Sequence, residues 1–161
     1  MGKEYGMAEA VEDIATKLIP SFHPELATAR FKYIYVDKAS QKSGRAVLGK
    51  VRKVSGALQF LLDTEFLVEV ALETWNDLGS DQRTALVDHL LERCYGEEDE
   101  NTGEMKWTVR EPDVNEFASI LQRHGAWNEE LSGFVSIAQH VKIDDLVADV
   151  AASVDETVQV N

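Results

Sequence analysis

The first half of the chain alternates between helical and extended patterns of apolar residues. In residues 7–19 apolar side chains recur every three or four positions, which predicts a helix that ends before Pro20. Residues 31–37, FKYIYVD, are rich in aromatic and β-branched side chains and predict a strand. Residues 45–55 alternate loosely and predict a second strand, with Gly49 at a candidate bulge.

A nearly continuous apolar run follows at residues 56–71, and its second half predicts a buried strand that leads into a short helix. The stretch SDQRTALVDHLLERC, residues 80–94, begins with a serine suited to capping a helix. It sets Leu86, Leu90 and Cys94 four positions apart, so we expect a long helix with Cys94 packed in the core.

The second half of the chain is predominantly helical in pattern. Residues 95–104 are polar and predict a flexible loop, and KWTVR at 106–110 predicts a short strand. Asp113 is the expected cap of the next helix, and Gly125 is its expected end. The helices predicted here cover residues 111–125, 127–140 and 141–154.

These elements predict one α+β domain over residues 1–155, followed by a frayed tail at 156–161. A small antiparallel or mixed sheet in the N-terminal half would carry helices packed on it, and the C-terminal half would be helical. A length of 161 residues suffices for a single core.

The charge of the chain is unevenly distributed. Residues 28–57 hold eight basic side chains and one acidic one, so this segment carries +7 and the remainder −20 of the total of −13. A charge of this kind is typical of a soluble acidic protein, and it also favours docking of the acidic side on a basic protein surface. We expect nucleic acid to be repelled, although Phe31, Tyr33 and Tyr35 interleave with Lys32 in a manner typical of a stacking strand.

The single cysteine excludes an internal disulfide, and no apolar stretch is long enough to span a bilayer. We therefore expect a cytoplasmic protein without a membrane partner. Its oligomeric state is left open by the sequence.

The segment DHLLER at residues 88–93 has part of the pattern of a zinc peptidase. Such enzymes carry two histidines four residues apart on one helix, with a glutamate directly after the first histidine as the general base. Here His89 matches the first histidine, Leu90 stands in place of the base, and Arg93 stands in place of the second ligand. A guanidinium does not ligate a cation, and leucine takes no proton.

The surroundings of this segment carry a wider resemblance. The D-H-x-L-x-x-C frame around His89, together with KWTVR at 106–110, DVNEF at 113–117 and RHG at 123–125, resembles the putative phage metallopeptidase family, a zincin-like group. The resemblance covers residues 8–137. It implies a zincin-like fold, a phage or prophage source, and a former metal pocket formed by His89, Leu90, Arg93 and Glu116.

Two outcomes for this pocket follow from the resemblance. In the first, no cofactor is bound, and Arg93 pairs with Glu116 so that its fixed positive charge replaces the metal ion. In the second, zinc is retained by a rebuilt ligand set drawn from His89, Glu92, Glu116 and His124.

The sequence thus favours a catalytically inactive, zincin-like protein that acts by binding. Its acidic run, Glu97, Glu98, Asp99 and Glu100, is the expected contact for a host protein with a basic surface. An inhibitor of a nucleic-acid-handling defence protein, of the anti-restriction or anti-CRISPR type, fits this description. An active metallohydrolase with an altered ligand set and a virion structural or assembly accessory protein are the alternatives.

Overall fold

The computed structural model describes residues 2–140, and their contacts divide the chain into two compact units, Met1–Glu111 and Pro112–Asn161. The predicted helix at 141–154 and the predicted tail at 156–161 lie outside the described residues. None of the helices within residues 2–140 has the length and apolar character needed to cross a bilayer.

The first unit contains all the described strands and four α-helices, which confirms the predicted α+β class. Its helices are α1 (Glu9–Phe22), α2 (Gly56–Leu62), α3 (Leu72–Asp77) and α4 (Ser80–Glu92), with a 3-10 turn at Pro24–Leu26. Its strands are β1 (Tyr5–Met7), β2 (Phe31–Val36), β3 (Ser40–Lys42), β4 (Arg45–Val47), β5 (Gly49–Lys53), β6 (Phe66–Ala71), β7 (Cys94–Glu98) and β8 (Met105–Val109).

The central sheet is mixed and has the strand order β1-β2-β6-β5. Strands β2 and β6 are parallel, whereas β1 and β5 run antiparallel to their neighbours. Helices α1 and α4 cover one face, where Tyr33, Phe66 and Val68 belong to the core cluster together with Trp107 of the β7–β8 hairpin. The aromatic face of β2 therefore packs in the core, because Tyr33 is almost completely buried.

Three predicted helix ends in the first unit are wrong. The helix predicted over residues 80–94 ends at Glu92, because Cys94 begins strand β7. Helix α1 continues through Pro20 to Phe22, because a proline in the last turn interrupts little of the remaining hydrogen bonding, and the His23 amide still bonds to the Ile19 carbonyl at 2.9 Å. Helix α4 is capped by Gly79 rather than by Ser80, and the Gly79 amide donates to the Gln82 side chain at 3.0 Å.

Two predicted strand and loop assignments also change. Residues 45–55 form two strands, β4 and β5, and Gly49 begins β5. Part of the predicted flexible loop at 95–104 is strand, because Glu97 and Glu98 pair with Lys106 and Met105 across the β7–β8 hairpin. The predicted strand at 106–110 is confirmed as β8.

The second unit, as far as it is described, contains α5 (Ala118–His124) and α6 (Glu129–His140). The prediction of a helix beginning near Asp113 is wrong, since α5 has Phe117 as its N-cap. Gly125 ends α5 with a φ of 67°, a conformation that glycine adopts without strain. Leu131 of α6 is buried.

Candidate functional site

Helix α4 presents the residues of the incomplete peptidase motif in different environments. His89 is exposed on the outer face of the helix, whereas Leu90 is 1% exposed and belongs to the core. Arg93 is the C-cap residue and retains helical backbone angles. The side chain at the position of the general base is therefore enclosed by protein atoms, and it is apolar.

Leu90 packs closely against the backbone of the sheet edge. A Cβ atom added to Gly49 of β5 would stand 2.8 Å from Leu90 Cδ1 and 3.1 Å from the Glu69 carbonyl oxygen. Only a residue without a side chain fits there, so the pair Gly49 and Leu90 brings α4 and β5 into close contact. This close approach, rather than a bulge, is the role of Gly49.

Arg93 has polar partners inside its own unit. Its Nε donates to the Arg110 carbonyl oxygen at 3.3 Å, and Nη2 lies 3.4 Å from Glu111 Oε1. The Arg110 amide donates in turn to the Arg93 carbonyl at 2.8 Å. Arg93 thereby joins the end of α4 to the end of the β7–β8 hairpin, and its side chain is about three-quarters buried.

Glu116 and His124, the other expected pocket residues, lie in the second unit. Glu116 accepts hydrogen bonds from Trp127 Nε1 at 3.1 Å and from the Phe117 amide at 2.8 Å. It also lines a cavity of about 450 Å³ together with Leu121, Leu131 and Phe134. His124 is the last residue of α5. Because the predicted Arg93–Glu116 pair joins residues of different units, it stays a prediction.

A buried histidine that sequence reasoning missed lies beside α4. His23, which follows α1, is 1% exposed, and its Nε2 is 2.6 Å from Asp88 Oδ1. Its Nδ1 is 3.5 Å from Glu92 Oε2. Asp88 and Glu92 are four residues apart and so share one helical face, and this spacing is the sequence signal for a common partner.

Glu92 is also bound by Arg110. The Arg110 guanidinium pairs with the Glu92 carboxylate, and its Nε donates to the Glu92 carbonyl oxygen at 2.7 Å. The same guanidinium lies over the Tyr95 ring, 5.5 Å from the centroid. One network of hydrogen bonds and ion pairs therefore links the end of α1, the last turns of α4 and the end of β8.

This network does not have the geometry of a metal centre. Each nitrogen of the His23 ring faces a different carboxylate, so the two carboxylates lie on different sides of the imidazole instead of converging on one point. Within residues 2–140 no three His, Cys, Asp or Glu side chains are grouped so that they could hold a metal ion. A zinc-peptidase ligand set also requires a ligand at position 93, and Arg93 does not fit that role.

Cys94 has the environment of a core residue, as expected. Its thiol is 1% exposed and donates to the Leu90 carbonyl oxygen at 3.5 Å. Burial raises the pKa of this thiol to about 12, although the nearby Arg93 lowers it in part. A thiol that stays protonated and enclosed is a poor nucleophile.

The acidic residues at the tip of the β7–β8 hairpin differ in whether their carboxylates are hydrogen-bonded or exposed. Asp99 accepts hydrogen bonds from the Asn101 and Thr102 amides and lies 3.0 Å from Lys106 Nζ. The hydrogen bond from Lys106 is the largest contribution that lowers the Asp99 pKa. Asp99 thus holds the turn together. The exposed carboxylates near this tip include Glu97, Glu98 and Glu100, which belong to the predicted acidic run.

The fold and the α4 region together define an α+β protein whose central helix carries one histidine of a zinc-peptidase motif. The chain belongs to the "Putative phage metallopeptidase" family, whose model matches residues 3–139. This match confirms the resemblance inferred from the sequence and spans both units. Comparison with curated proteins and with solved structures gave no match.

Proposed function

We propose that this chain is a member of the phage metallopeptidase family that binds a partner and does not hydrolyse peptides. The burial of Leu90, which projects from α4 against Gly49 of β5, carries this proposal. General-base catalysis requires a carboxylate and a water molecule at this position. The ion pair of Arg93 with Glu111 supports it, since a permanent cation occupies the position of the second ligand.

Metal binding provides the first test. We expect the purified protein to show no saturable binding of Zn²⁺ or Co²⁺ at one equivalent, and no cleavage of a casein substrate. The variant Arg93→His places two imidazoles four residues apart on α4, so we expect it to gain Co²⁺ affinity that calorimetry detects.

The matched control is Arg93→Gln, which removes the cation without adding a ligand, and we expect it to bind no metal. One equivalent of tightly bound zinc in the unaltered protein, together with proteolysis, would instead identify an active metallohydrolase with an altered ligand set. Among the candidate ligands of that alternative, Glu92 already bonds Arg110.

The partner we propose is a host protein with a basic surface, acting on nucleic acid in the host cell cytoplasm as part of a restriction or CRISPR defence. The net charge of −13 and the exposed carboxylates Glu97, Glu98 and Glu100 support this assignment. The hydrogen bonds of Asp99 hold the turn of the hairpin in one conformation. Because the acidic tip is already ordered, it loses less conformational entropy when it binds a partner.

Phage plating on a host that carries such a nuclease tests this partner. We expect expression of the protein to raise plating efficiency, and charge reversal at the tip by Glu97→Lys, Glu98→Lys and Glu100→Lys to remove at least about tenfold of that gain. The control carries Glu9→Lys, Asp13→Lys and Glu25→Lys, which change the net charge equally at exposed sites elsewhere. Equal loss in both variants would contradict docking through the hairpin tip.

A further inference from the structure

Helix α2 is an apolar helix at the surface of the first unit, where Arg30 lines a shallow cavity with Gln59 and Phe60 and pairs with Asp63 at the end of the helix. None of its residues is buried, and its side chains are exposed by 62% at Leu58, 86% at Phe60, 73% at Leu61 and 40% at Leu62. The apolar run at 56–71 therefore divides into an exposed helix and the buried strand β6. Such a cluster of exposed apolar side chains marks an interaction site.

The apolar side chains of α2 point to nearly all sides of the helix. At 100° per residue, positions 58 and 62 share one side, whereas 60 and 61 lie on others, and Gln59 is the one polar side chain among them. A helix that is apolar all round requires surroundings that enclose it, such as a core or a lipid phase. A seven-residue helix is only about 10 Å long, so the surface it offers is far smaller than the roughly 800 Å² per partner of a standard protein interface.

Basic side chains lie at the same end of the sheet. Arg52 and Lys53 end β5 immediately before α2, and both are exposed and form no salt bridge within residues 2–140. Lys32 near the start of β2 and Arg52 flank Leu67 in register, so the three side chains share the sheet face opposite the core. Two cations therefore precede the exposed apolar helix directly in the chain, and the carboxylate at its other end, Asp63, is paired with Arg30.

We infer that α2 is an interfacial anchor for a lipid surface with anionic headgroups. Leu58, Phe60 and Leu61 enter the boundary between headgroups and acyl chains, while Arg52 and Lys53 contact the headgroups. An anchor of this kind needs no spanning helix, so the sequence expectation of no membrane partner, which rested on apolar length, did not address it.

Vesicle co-sedimentation with the full chain tests this inference. We expect binding to vesicles of phosphatidylcholine and phosphatidylglycerol, weaker binding to phosphatidylcholine alone, and a decrease with added salt. The variant Phe60→Ser with Leu61→Ser should bind at least about tenfold more weakly, because both side chains lose their transfer into the lipid. Replacement of Arg52 and Lys53 by Gln should cost about fivefold per charge and only on anionic vesicles.

The matched control is Met7→Ser with Phe22→Ser, two apolar residues that are each 66% exposed but lie outside α2. We expect it to bind vesicles like the unaltered protein, and circular dichroism should show all variants folded. No vesicle binding, or binding that persists in the α2 variant, would overturn the inference. Concentration-dependent dimerisation lost in the α2 variant, without lipid binding, would overturn it in favour of a second copy of the chain.

Discussion

Gly49 and Leu90 illustrate how single residues determine the character of the site. Glycine at the start of β5 lets the sheet backbone approach α4, and leucine at position 90 fills the space that the approach leaves. His23 contributes a second contact to α4, because its buried ring is held by Asp88 on one side and faces Glu92 on the other. At this scale helix α4, which carries the incomplete motif, is held by packing and hydrogen bonds.

Gly49→Ala should destabilise the protein by about 1–3 kcal/mol, because the new methyl group overlaps Leu90 and approaches the Glu69 carbonyl. Urea unfolding followed by circular dichroism measures this loss. Gly133→Ala is the matched control, since nothing lies within 4 Å of its added Cβ and alanine favours a helix. Equal effects of the two substitutions would show that Gly49 and Leu90 do not pack as described.

A residue-scale pH effect follows from Glu65, which is buried and hydrogen-bonded to the Arg30 side chain and amide. Burial by itself would raise its pKa, but the hydrogen bonds from Arg30 outweigh this and lower the pKa below its ordinary value of 4.5. The ionised form therefore stabilises the fold above pH 4.5, and this contribution is lost as the pH falls through the lowered native pKa.

Glu65→Gln should consequently lose less unfolding free energy as the pH is lowered below 4.5, because the native pKa of Glu65 lies below this ordinary value. Urea titrations at several pH values measure the difference. Glu100→Gln is the control, as an exposed carboxylate with no hydrogen bond within the described residues. A Glu65→Gln protein with an unaltered pH slope would refute the assigned role of Arg30.

At the scale of elements, the β7–β8 hairpin depends on a glycine opposite an aromatic ring. Gly96 and Trp107 are direct partners across the two strands, and the Trp107 ring covers the position where a Cβ of residue 96 would lie. Trp107 in turn contacts Phe66 edge-on, with 5.9 Å between ring centroids. The hairpin is thereby fastened to the central sheet, which supports the acidic tip.

Gly96→Ala should move the Trp107 ring and destabilise the protein by about 2–3 kcal/mol. Near-ultraviolet circular dichroism should report the altered tryptophan environment, and urea unfolding should give the free energy. The control Gly6→Ala adds a methyl group to another strand glycine with nothing within 4 Å, so a small effect is expected. An unchanged near-ultraviolet spectrum in Gly96→Ala would contradict the cross-strand contact.

The elements that the sequence predicted well are those determined by residues within the element itself. Strand β6 follows from a dense apolar run, and the end of α5 at Gly125 follows from the freedom of glycine at positive φ. His23 was missed because its partner Asp88 is 65 residues away, a distance that no local pattern reports. The start of α5 was wrong because proline and aspartate at 112–113 are equally compatible with an extended approach to a later helix.

In the first unit, the exposed acidic side chains and the exposed apolar side chains lie on different elements. The acidic side chains of the hairpin tip and the basic, apolar region around α2 belong to the same unit but to different elements. The family match establishes the phage metallopeptidase scaffold across residues 3–139. On that scaffold the two surfaces are proposed as separate sites, and the variants designed for each leave the other unchanged.

The contact between Leu90 and Gly49 also bears on whether this chain could acquire the residues that the zinc-peptidase motif requires. Substitution of Leu90 by glutamate and of Arg93 by histidine would complete the motif. The glutamate, however, would lie in a buried, apolar space that a leucine fills. Further substitutions would first have to increase the space between α4 and β5, and each intermediate sequence would be less stable. The packing of α4 on β5 therefore makes further divergence from the motif easier than its completion.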